Sequence, residues 1–315
     1  MMPVDYQSAL HPAGPQAASI AQLWWFMLAV CVVVYGLVMA TLVAAVFRAH
    51  AVRQAQAERS LTRTVTTATA LTTVALFGIL VASVRTGRAV GPPDGPVDPL
   101  GVEVTGYQWW WDVEYQSPSP PNTVRTANEL HVPVGRPVRI LLAATDVIHS
   151  LWIPNLHGKM DLIPGRRTEL WLQADTPGVY RGQCAEFCGL QHAHMALTVV
   201  VESPAAFEQW YAAQKQPARP SSTTQTQHGE QLVTRGPCAL CHSVRGTDAG
   251  GRPGPDLTHL QSRRTLAAGT LPNARQPLEI WITDPQHVKP GVKMPPVGLS
   301  TEERAAVVAY LETLR

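Results

Sequence analysis

Two long apolar stretches dominate the N-terminal part of the chain. Residues 23–47 contain no ionisable side chain other than Cys31 and Tyr35, and residues 64–84 contain no charged one. A bilayer core about 30 Å thick needs about 20 such residues in a helix, at a rise of 1.5 Å per residue. We expect both stretches to span a membrane. The alternative is a pair of buried core helices in a soluble protein.

The segment between the two stretches is basic. It carries Arg48, Arg53, Arg59 and Arg63 against Glu58 alone. Because positive charge beside membrane helices stays on the cytoplasmic side, we expect this loop in the cytoplasm and both flanks outside. The long part of the chain that follows the second stretch is therefore expected outside the membrane as well.

Beyond residue 91 the pattern changes to short runs rich in β-branched and aromatic residues. Turn-forming residues bound most of these runs, which is typical of an all-β sandwich or barrel. The runs are residues 102–116, 129–135, 137–146, 168–175 and 196–203. Residues 205–215 favour a short helix, which leads into a polar linker rich in Pro, Ser and Thr.

The last part of the chain has a helical pattern. Ser300 and Glu303 have the spacing of a capping box, and Ala305, Val308 and Leu311 recur at helical spacing. We therefore predict a multidomain membrane protein in five parts. These are an external N-terminal tail (1–22), a transmembrane helical hairpin (23–88), an all-β domain (89–204), a short helix with a linker (205–225) and an all-α domain (226–315).

Composition narrows the function. Only 15% of the 315 residues are charged and the net charge is +2, so the chain lacks the basic surface that nucleic-acid binding needs. We expect no nucleic-acid partner. The five cysteines are too few for a disulfide scaffold in a chain of this length. Four of them form two close pairs, Cys184/Cys188 and Cys238/Cys241, which indicates metal or cofactor chemistry.

The first pair belongs to a cluster of soft ligands. His192 and Met195 follow Cys184 and Cys188, and His149 lies upstream. Thiolate, imidazole and thioether groups suit copper or zinc far better than calcium or magnesium. Two thiolates are enough to bridge two copper ions, each with one terminal histidine and one weak axial ligand, which favours an electron relay over catalysis. The alternatives are a Cys184–Cys188 disulfide and a zinc site of two Cys and two His.

The motif around these cysteines resembles that of a known family. The pattern C-x-E-x-C-x3-H-x2-M at 184–195, with Asp-Val-Ile-His-Ser at 146–150 and Gly-Tyr-Gln-Trp-Trp-Trp at 106–111, resembles the CuA site of cytochrome c oxidase subunit II. The resemblance covers about residues 20–205 and implies a cupredoxin fold for the all-β domain. The copper ligands that it implies are His149, Cys184, Glu186 through its main-chain carbonyl, Cys188, His192 and Met195.

The same resemblance implies two further roles. The Glu186 carboxylate would face a Mg²⁺ ion at the contact with subunit I. Trp109 would be the electron-entry residue, and its alternative role is packing in the core or at the membrane interface. No residue of this chain is expected to be catalytic, because the family reduces O₂ in another subunit.

The second cysteine pair lies in Cys238-Ala-Leu-Cys241-His242, the C-x-x-C-H pattern of covalent haem c attachment. The alternatives are a zinc site or a redox dithiol. Gly254-Pro255 and Met294 resemble the corresponding segments of class I cytochrome c domains. That resemblance implies His242 and Met294 as axial ligands, with His259 and His287 as rival sixth ligands. A thioether opposite the histidine raises the haem potential, as an electron carrier requires.

The charge of the two outer domains differs in sign. Residues 89–220 carry 9 basic and 13 acidic side chains, whereas residues 221–315 carry 10 and 8. Opposite charge across a flexible linker favours docking of the second domain on the first. We therefore expect electrons to pass from haem c to CuA within one chain. The alternative is that these are ordinary solvated surface charges.

Taken together, the sequence resembles subunit II of the caa3-type terminal oxidases, to which cytochrome c is fused. This implies partners in subunit I and subunit III, an external cytochrome donor and membrane lipid, and a place in the bacterial plasma membrane. Subunit I would reduce O₂ and pump protons. The alternatives are the CuA subunit of a nitric oxide reductase and a copper storage or delivery protein.

Overall fold

The computed structural model describes residues 7–48, 54–93, 95–117 and 123–315. Arg53 of the predicted cytoplasmic loop and residues 1–6 of the predicted tail lie outside these ranges. Two long helices come first, α1 (Pro15–Arg48) and α2 (Gln54–Ala89). Their apolar central turns expose large side chains such as Val33, Leu37 and Phe77, which is the pattern of helices whose natural surroundings are lipid.

Helix α1 begins eight residues before the predicted span, within the predicted tail. Its first turns pack on the β-domain, where Ala17 and Ala21 are buried. The Ala13 amide donates to Asn155 O at 2.7 Å, and the Asp175 amide donates back to Ala13 O at 2.8 Å. The start of the first span is therefore fixed to the domain that follows the second.

The β-domain is a sandwich of two five-stranded sheets. One sheet has the order β3-β2-β1-β5-β8 and the other β4-β10-β9-β6-β7. Most neighbours are antiparallel, but β1 pairs with β5 and β4 with β10 in parallel. The strands are β1 (Leu100–Tyr107), β2 (Trp110–Tyr115), β3 (Val124–Ala127), β4 (Glu129–Pro133), β5 (Val138–Ala144), β6 (His149–Trp152), β7 (Met160–Leu162), β8 (Thr168–Leu172), β9 (Gly178–Cys184) and β10 (Ala196–Glu202).

Alternating side chains fill the space between the sheets. Along β1, Val102 and Val104 are fully buried while their neighbours are half-buried, as expected for one inward face. The predicted run 102–116 proves to be two strands, because the chain reverses at Gln108–Trp109 and pairs Tyr107 with Trp110. Helix α3 (Pro204–Gln214) closes the domain and confirms the predicted helix at 205–215.

The C-terminal domain is built from helices. They are α4 (Thr224–Arg235), α5 (Arg275–Thr283), α6 (Pro285–Val288) and α7 (Thr301–Leu311), with a minimal strand pair β11 (Thr265–Leu266) and β12 (Leu271–Pro272). Helices α4 and α7 cross at Gly229, where a Cβ atom would come within 2.0 Å of Ala306 O. The predicted capping box of α7 is present, with Ser300 Oγ accepting from the Glu303 amide at 3.1 Å.

The C-terminal domain is docked on the β-domain. The Ala196 amide donates to Ala268 O at 3.0 Å, and the Arg264 amide donates to Glu129 Oε2 at 3.0 Å. Among the ion pairs of the described residues, one crosses this interface, with Lys293 Nζ 3.1 Å from Asp146 Oδ2. The two domains are therefore docked, and hydrogen bonds with a main-chain atom on at least one side make more of the contacts than ion pairs do.

Candidate metal centre and haem site

Three neighbouring strands position the predicted copper ligands. Strand β9 ends at Cys184, a loop carries Cys188, and β10 begins one residue after Met195. Strand β6 lies beside β9 and pairs Leu151 with Cys184, which brings His149 at the start of β6 to the same end of the sheet. A residue 35 positions upstream thus joins the loop through sheet register.

The ligand atoms converge. The two sulfur atoms lie 3.7 Å apart, His149 Nδ1 is 3.9 Å from Cys184 Sγ, and His192 Nδ1 is 3.6 Å from Cys188 Sγ. Met195 Sδ is 3.9 Å from Cys188 Sγ. His149 and the two cysteines form a buried group whose ligand atoms all lie within 4.8 Å of one another. Each imidazole therefore faces a different sulfur.

These distances fit metal bridging and exclude a disulfide in this structure. A disulfide needs sulfurs about 2.05 Å apart, and both cysteines are free. A metal–thiolate bond is about 2.3 Å long, so sulfurs at 3.7 Å can share a metal ion between them. With an imidazole beside each sulfur, the set offers donors for two ions.

The two thiols behave as one unit. Their mutual hydrogen bond lowers the pKa of Cys184 to about 3 against the opposing effect of burial, and His149 lowers it further. The same hydrogen bond, together with burial, raises the pKa of Cys188. The pair as a whole therefore favours one ionised and one protonated sulfur, and a bound cation would take the place of the remaining proton.

Asp146 orients the predicted ligand His149. Its Oδ1 lies 3.0 Å from His149 Nε2 and accepts from the Val147 amide at 2.8 Å, while Oδ2 accepts from the Gln108 amide at 2.8 Å. With Nε2 held by a carboxylate, Nδ1 is left to face Cys184. Carboxylate partners of this kind commonly fix the ring of a metal-binding histidine.

The aromatic turn between β1 and β2 rests on the ligand loop. Gln108 Nε2 and Trp109 Nε1 both donate to Cys188 O, at 2.8 and 2.9 Å. Trp109 is only 7% exposed. Its indole is therefore coupled by one hydrogen bond to the main chain of a predicted ligand.

The C-x-x-C-H segment lies in the C-terminal domain on a short 3₁₀ turn, Pro237–Leu240. His242 Nδ1 donates to Pro255 O at 2.8 Å, because a carbonyl can only accept, and so Nε2 carries the free lone pair that an axial ligand needs. Burial lowers the pKa of His242, which favours this neutral form. Gly254 allows the approach, since a Cβ there would lie 2.8 Å from His242 Cε1.

Two family models match the chain side by side. Residues 117–203 match the periplasmic domain of cytochrome c oxidase subunit II, and residues 226–315 match cytochrome c. Cytochrome c oxidase subunit 2 of Alkalihalophilus pseudofirmus is 34% identical over 77% of this chain and 70% of its own length. The chain belongs to the cytochrome c oxidase subunit 2 family.

Other relatives of the subunit 2 family cover smaller parts. The cytochrome c oxidase subunit 2 of Bacillus sp. PS3 is 34% identical over 68% of this chain, and the chain spans 62% of that relative's length. A crystal structure of the periplasmic domain of cytochrome oxidase subunit II of Bradyrhizobium japonicum is 30% identical, covering 40% of this chain and 96% of that one with a TM-score of 0.35. A subunit 2 periplasmic domain implies a CuA copper centre, and a cytochrome c domain implies haem.

Three residues of this subunit 2 chain were candidates for the sixth haem ligand. Met294 is half-buried, and its main-chain carbonyl accepts from Gln286 Nε2 at 3.0 Å. Of its rivals, His259 is buried with Nε2 3.0 Å from Gln216 O, and His287 is exposed. The choice of sixth ligand stays a prediction, with His259 already engaged elsewhere.

Glu186 faces two ways. Its main-chain oxygen is 3.2 Å from Cys184 Sγ, on the metal side. Its carboxylate is partly exposed, 3.7 Å from Lys159 Nζ, which lies 3.9 Å from Asp161. Asp161 and Lys159 were not singled out from the sequence.

Sequence reasoning also left two partners of the site without a role. Asp146 was noted as part of a motif, and its position three residues before His149 was the available signal. Lys289, which reaches the Trp109 main chain, carries no such signal, because a lysine in a loop normally lies in solvent.

Proposed function

We propose that this chain is the electron-transfer subunit of a haem-copper terminal oxidase. It carries electrons from haem c in the C-terminal domain to a binuclear CuA centre in the β-domain, and on to haem in subunit I. There O₂ is reduced, and the reaction is coupled to proton pumping. The enzyme would be a cytochrome c oxidase whose reducing site lies outside this chain.

One observation carries the proposal. The C-terminal domain contacts the β-domain beside the ligand loop, where Gln191 Nε2 donates to Pro290 O at 2.9 Å. Gln191 immediately precedes His192, and Pro290 lies four residues before Met294. Two redox sites carried on contacting segments of one chain suit a relay. A storage or delivery protein has no use for the second.

The proposed ligands are those predicted from the sequence. Copper would be held by His149, Cys184, Glu186 O, Cys188, His192 and Met195, and haem by Cys238, Cys241, His242 and Met294. When bound, both groups supply reversible one-electron chemistry. The chain contributes fixed donors: Asp146 orients His149, and Pro255 O orients His242, so little rearrangement accompanies a change of charge.

Trp109 is proposed as the electron-entry residue of the copper site. Its indole donates to Cys188 O, and the C-terminal domain covers its ring, since a Cβ on Gly291 would lie 3.4 Å from Trp109 Cη2. This placement joins one domain to the other through a single aromatic side chain. Packing alone would not require the hydrogen bond to a ligand residue.

The surroundings are proposed from the two apolar helices and the family. Helices α1 and α2 would span the bacterial plasma membrane, with both outer domains on the periplasmic side and the loop between the helices in the cytoplasm. Subunits I and III, membrane lipid and an external cytochrome donor are the proposed partners. The partly exposed Glu186 carboxylate would meet Mg²⁺ at the subunit I contact, in place of Lys159.

Oxygen uptake by the intact complex tests the proposal. The complex is purified in mild detergent through a tag on this chain and supplied with a reduced soluble cytochrome, with nitric oxide tested in parallel. We expect rapid, cyanide-sensitive O₂ consumption. Turnover of nitric oxide with little O₂ use, or copper that mild chelation removes, would contradict the proposed function.

A matched pair of variants ties the activity to this chain. Cys188→Ser removes one proposed bridging thiolate, and we expect loss of copper and of O₂ uptake to background. Cys31→Ser changes a cysteine in α1, away from both sites, and should leave both unchanged. Equal loss in the two variants would mean that the complex tolerates no cysteine change, and the assignment of Cys188 would fail.

A further inference from the structure

Lys289 is buried between the two outer domains. It follows α6 in the C-terminal domain, and only 1% of the residue is exposed. A lysine is almost never buried to this extent unless its ammonium group is fully hydrogen-bonded, because removing a charge from water is costly. Its burial therefore points to a specific contact.

The ammonium group uses all three of its donors on main-chain carbonyls. Lys289 Nζ donates to Trp109 O at 2.8 Å, to His194 O at 2.8 Å and to Ala267 O at 3.0 Å. Two of these acceptors belong to the β-domain and one to the C-terminal domain. A single lysine side chain thus holds three chain segments together.

The two β-domain acceptors lie at the copper site. Trp109 is the proposed entry residue, and His194 lies between the proposed ligands His192 and Met195. Both segments are themselves fixed to the ligand loop, the first by the hydrogen bonds of the aromatic turn to Cys188 O. Lys289 therefore contacts two β-domain segments that adjoin the proposed metal ligands.

The residues after Lys289 continue the contact toward the haem site. Pro290 O accepts from Gln191, and Gly291 lies over Trp109, with a Cβ there 3.4 Å from Trp109 Cη2 and 3.5 Å from Leu190 Cδ2. Gly291 has φ +85°, which suits glycine. Met294 follows three residues later. The strip 289–294 thus runs from the copper loop to the proposed haem ligand.

We propose that Lys289 is the positioning residue that keeps the C-terminal domain seated on the Trp109 face of the β-domain. The inference rests on the proposed function only for its consequence, which is a fixed path for electrons between the two sites. Because its partners are neutral carbonyls in a buried pocket, the seating holds at high salt, unlike docking by surface charge.

Hydrogen–deuterium exchange on the purified full complex tests the seating itself. The amides of Ala196 and Arg264 donate across the interface, to Ala268 O and Glu129 Oε2, so their exchange reports undocking. In Lys289→Met, we expect their exchange to be faster by about tenfold or more, as the loss of hydrogen bonds to a charged group implies. Lys289→Gln, which keeps two donors, should fall between.

Arg275→Met is the matched control. It also replaces a cation by methionine in the C-terminal domain, but Arg275 is exposed and pairs with Glu312 within its own domain. We expect wild-type exchange at Ala196 and Arg264. If Lys289→Met exchanges like Arg275→Met, Lys289 does not seat the domain and the proposal is wrong.

Electron transfer within the chain gives a second readout. After photoreduction of the haem, we expect transfer to copper to be about tenfold slower in Lys289→Met and to become dependent on ionic strength, while the wild type is insensitive to salt. Haem and copper absorption should be unchanged. Loss of either cofactor in Lys289→Met but not in Arg275→Met would show that Lys289 builds a site and does not position a domain.

The two readouts separate two kinds of failure. Exchange depends only on docking, so a protected interface in the wild type that opens in Lys289→Met supports the seating even if no electron transfer is found. Absence of transfer in the wild type would instead count against the proposed function. An unprotected interface in the wild type would overturn the seating directly.

Discussion

The two candidate redox sites differ in how the fold holds their predicted ligand side chains. In the β-domain, two sulfurs, two imidazoles and a thioether already lie within 4 Å of a neighbour in the set. In the C-terminal domain, His242 is held by Pro255 O, and the two cysteines of the predicted attachment motif, Cys238 and Cys241, are half-buried. Ligands set between paired strands are assembled by the fold. A site for a covalently attached group is completed by that group.

Loss of the two cysteines proposed to attach haem should produce the largest effect. In the double variant Cys238→Ser/Cys241→Ser we expect no covalent haem and a C-terminal domain that unfolds at a lower temperature, since the attached group would complete its core. Copper content should be unchanged, because the β-domain assembles its own site. Haem staining on a denaturing gel, copper analysis and thermal unfolding of the full chain measure the three quantities.

The cysteine change in Cys31→Ser controls for effects on membrane insertion. If the double variant also loses copper while Cys31→Ser keeps it, the copper site depends on the C-terminal domain. The contrast between a self-assembled and a cofactor-completed site would then be false.

Removing the charge of Asp146 tests how much the copper affinity depends on residues that orient the proposed ligands without touching the metal. Asp146→Asn weakens the hold on His149 Nε2, and we expect a 10- to 100-fold lower copper affinity, the usual cost at such positions. Competition against a chelator of known affinity measures it. Asp98→Asn is the control, because that carboxylate is exposed and pairs with Arg136 away from the site; a similar loss in both variants would contradict the orienting role.

The predicted copper ligands are easier to read from the sequence than the individual strands that carry them. Five of the six proposed copper ligands lie within twelve residues, so one local motif contains them, and the sulfur atoms of its two cysteines lie 3.7 Å apart in the structure. Strands β3, β6 and β7 have three or four residues each, too few for an alternating pattern to be read. Strand β9 contains Gly182 and Arg181, and it is a strand because β10 and β6 pair with it on either side.

Contacts between the domains were the least predictable. Opposite charge indicated that the domains dock, but not which residues meet. Lys289 and Arg263 look like surface cations in the sequence, yet both are buried at the interface, where Arg263 Nε donates to Thr126 Oγ1 at 3.2 Å. Such burial depends on carbonyl and hydroxyl partners from distant parts of the chain, and these have no sequence pattern.

The smallest expected effect concerns His131, which lies far from the ligand loop. A change at this residue tests whether the whole β-domain, or the ligand loop alone, holds the proposed copper ligands in place. His131 Nε2 lies 2.9 Å from Glu129 and Nδ1 2.7 Å from Glu202, and the ring stacks on Trp210 at 4.0 Å. Carboxylates accept only, so both ring nitrogens donate and the imidazole is charged. Burial opposes this, but the hydrogen bonds with Glu129 and Glu202 raise the pKa of His131.

Charged His131 stabilises the folded state through its contacts with Glu129 and Glu202. Because its pKa is raised in the folded state, this stabilisation depends on pH. It is fully present below the ordinary histidine pKa of about 6.5 and is lost as the pH rises through the higher value of the folded protein. We expect the free energy of unfolding of the wild type to exceed that of His131→Gln by about 1–2 kcal/mol at pH 6. This difference should become smaller as the pH rises toward 9. Thermal unfolding of the full chain at each pH measures the gap. His228→Gln, a change at an exposed histidine in α4, should show no such trend.

The copper content of His131→Gln gives a second readout. If the variant keeps its copper at every pH, the ligand loop is assembled locally. If copper is lost together with stability, the whole sandwich is needed to hold the proposed ligands in place.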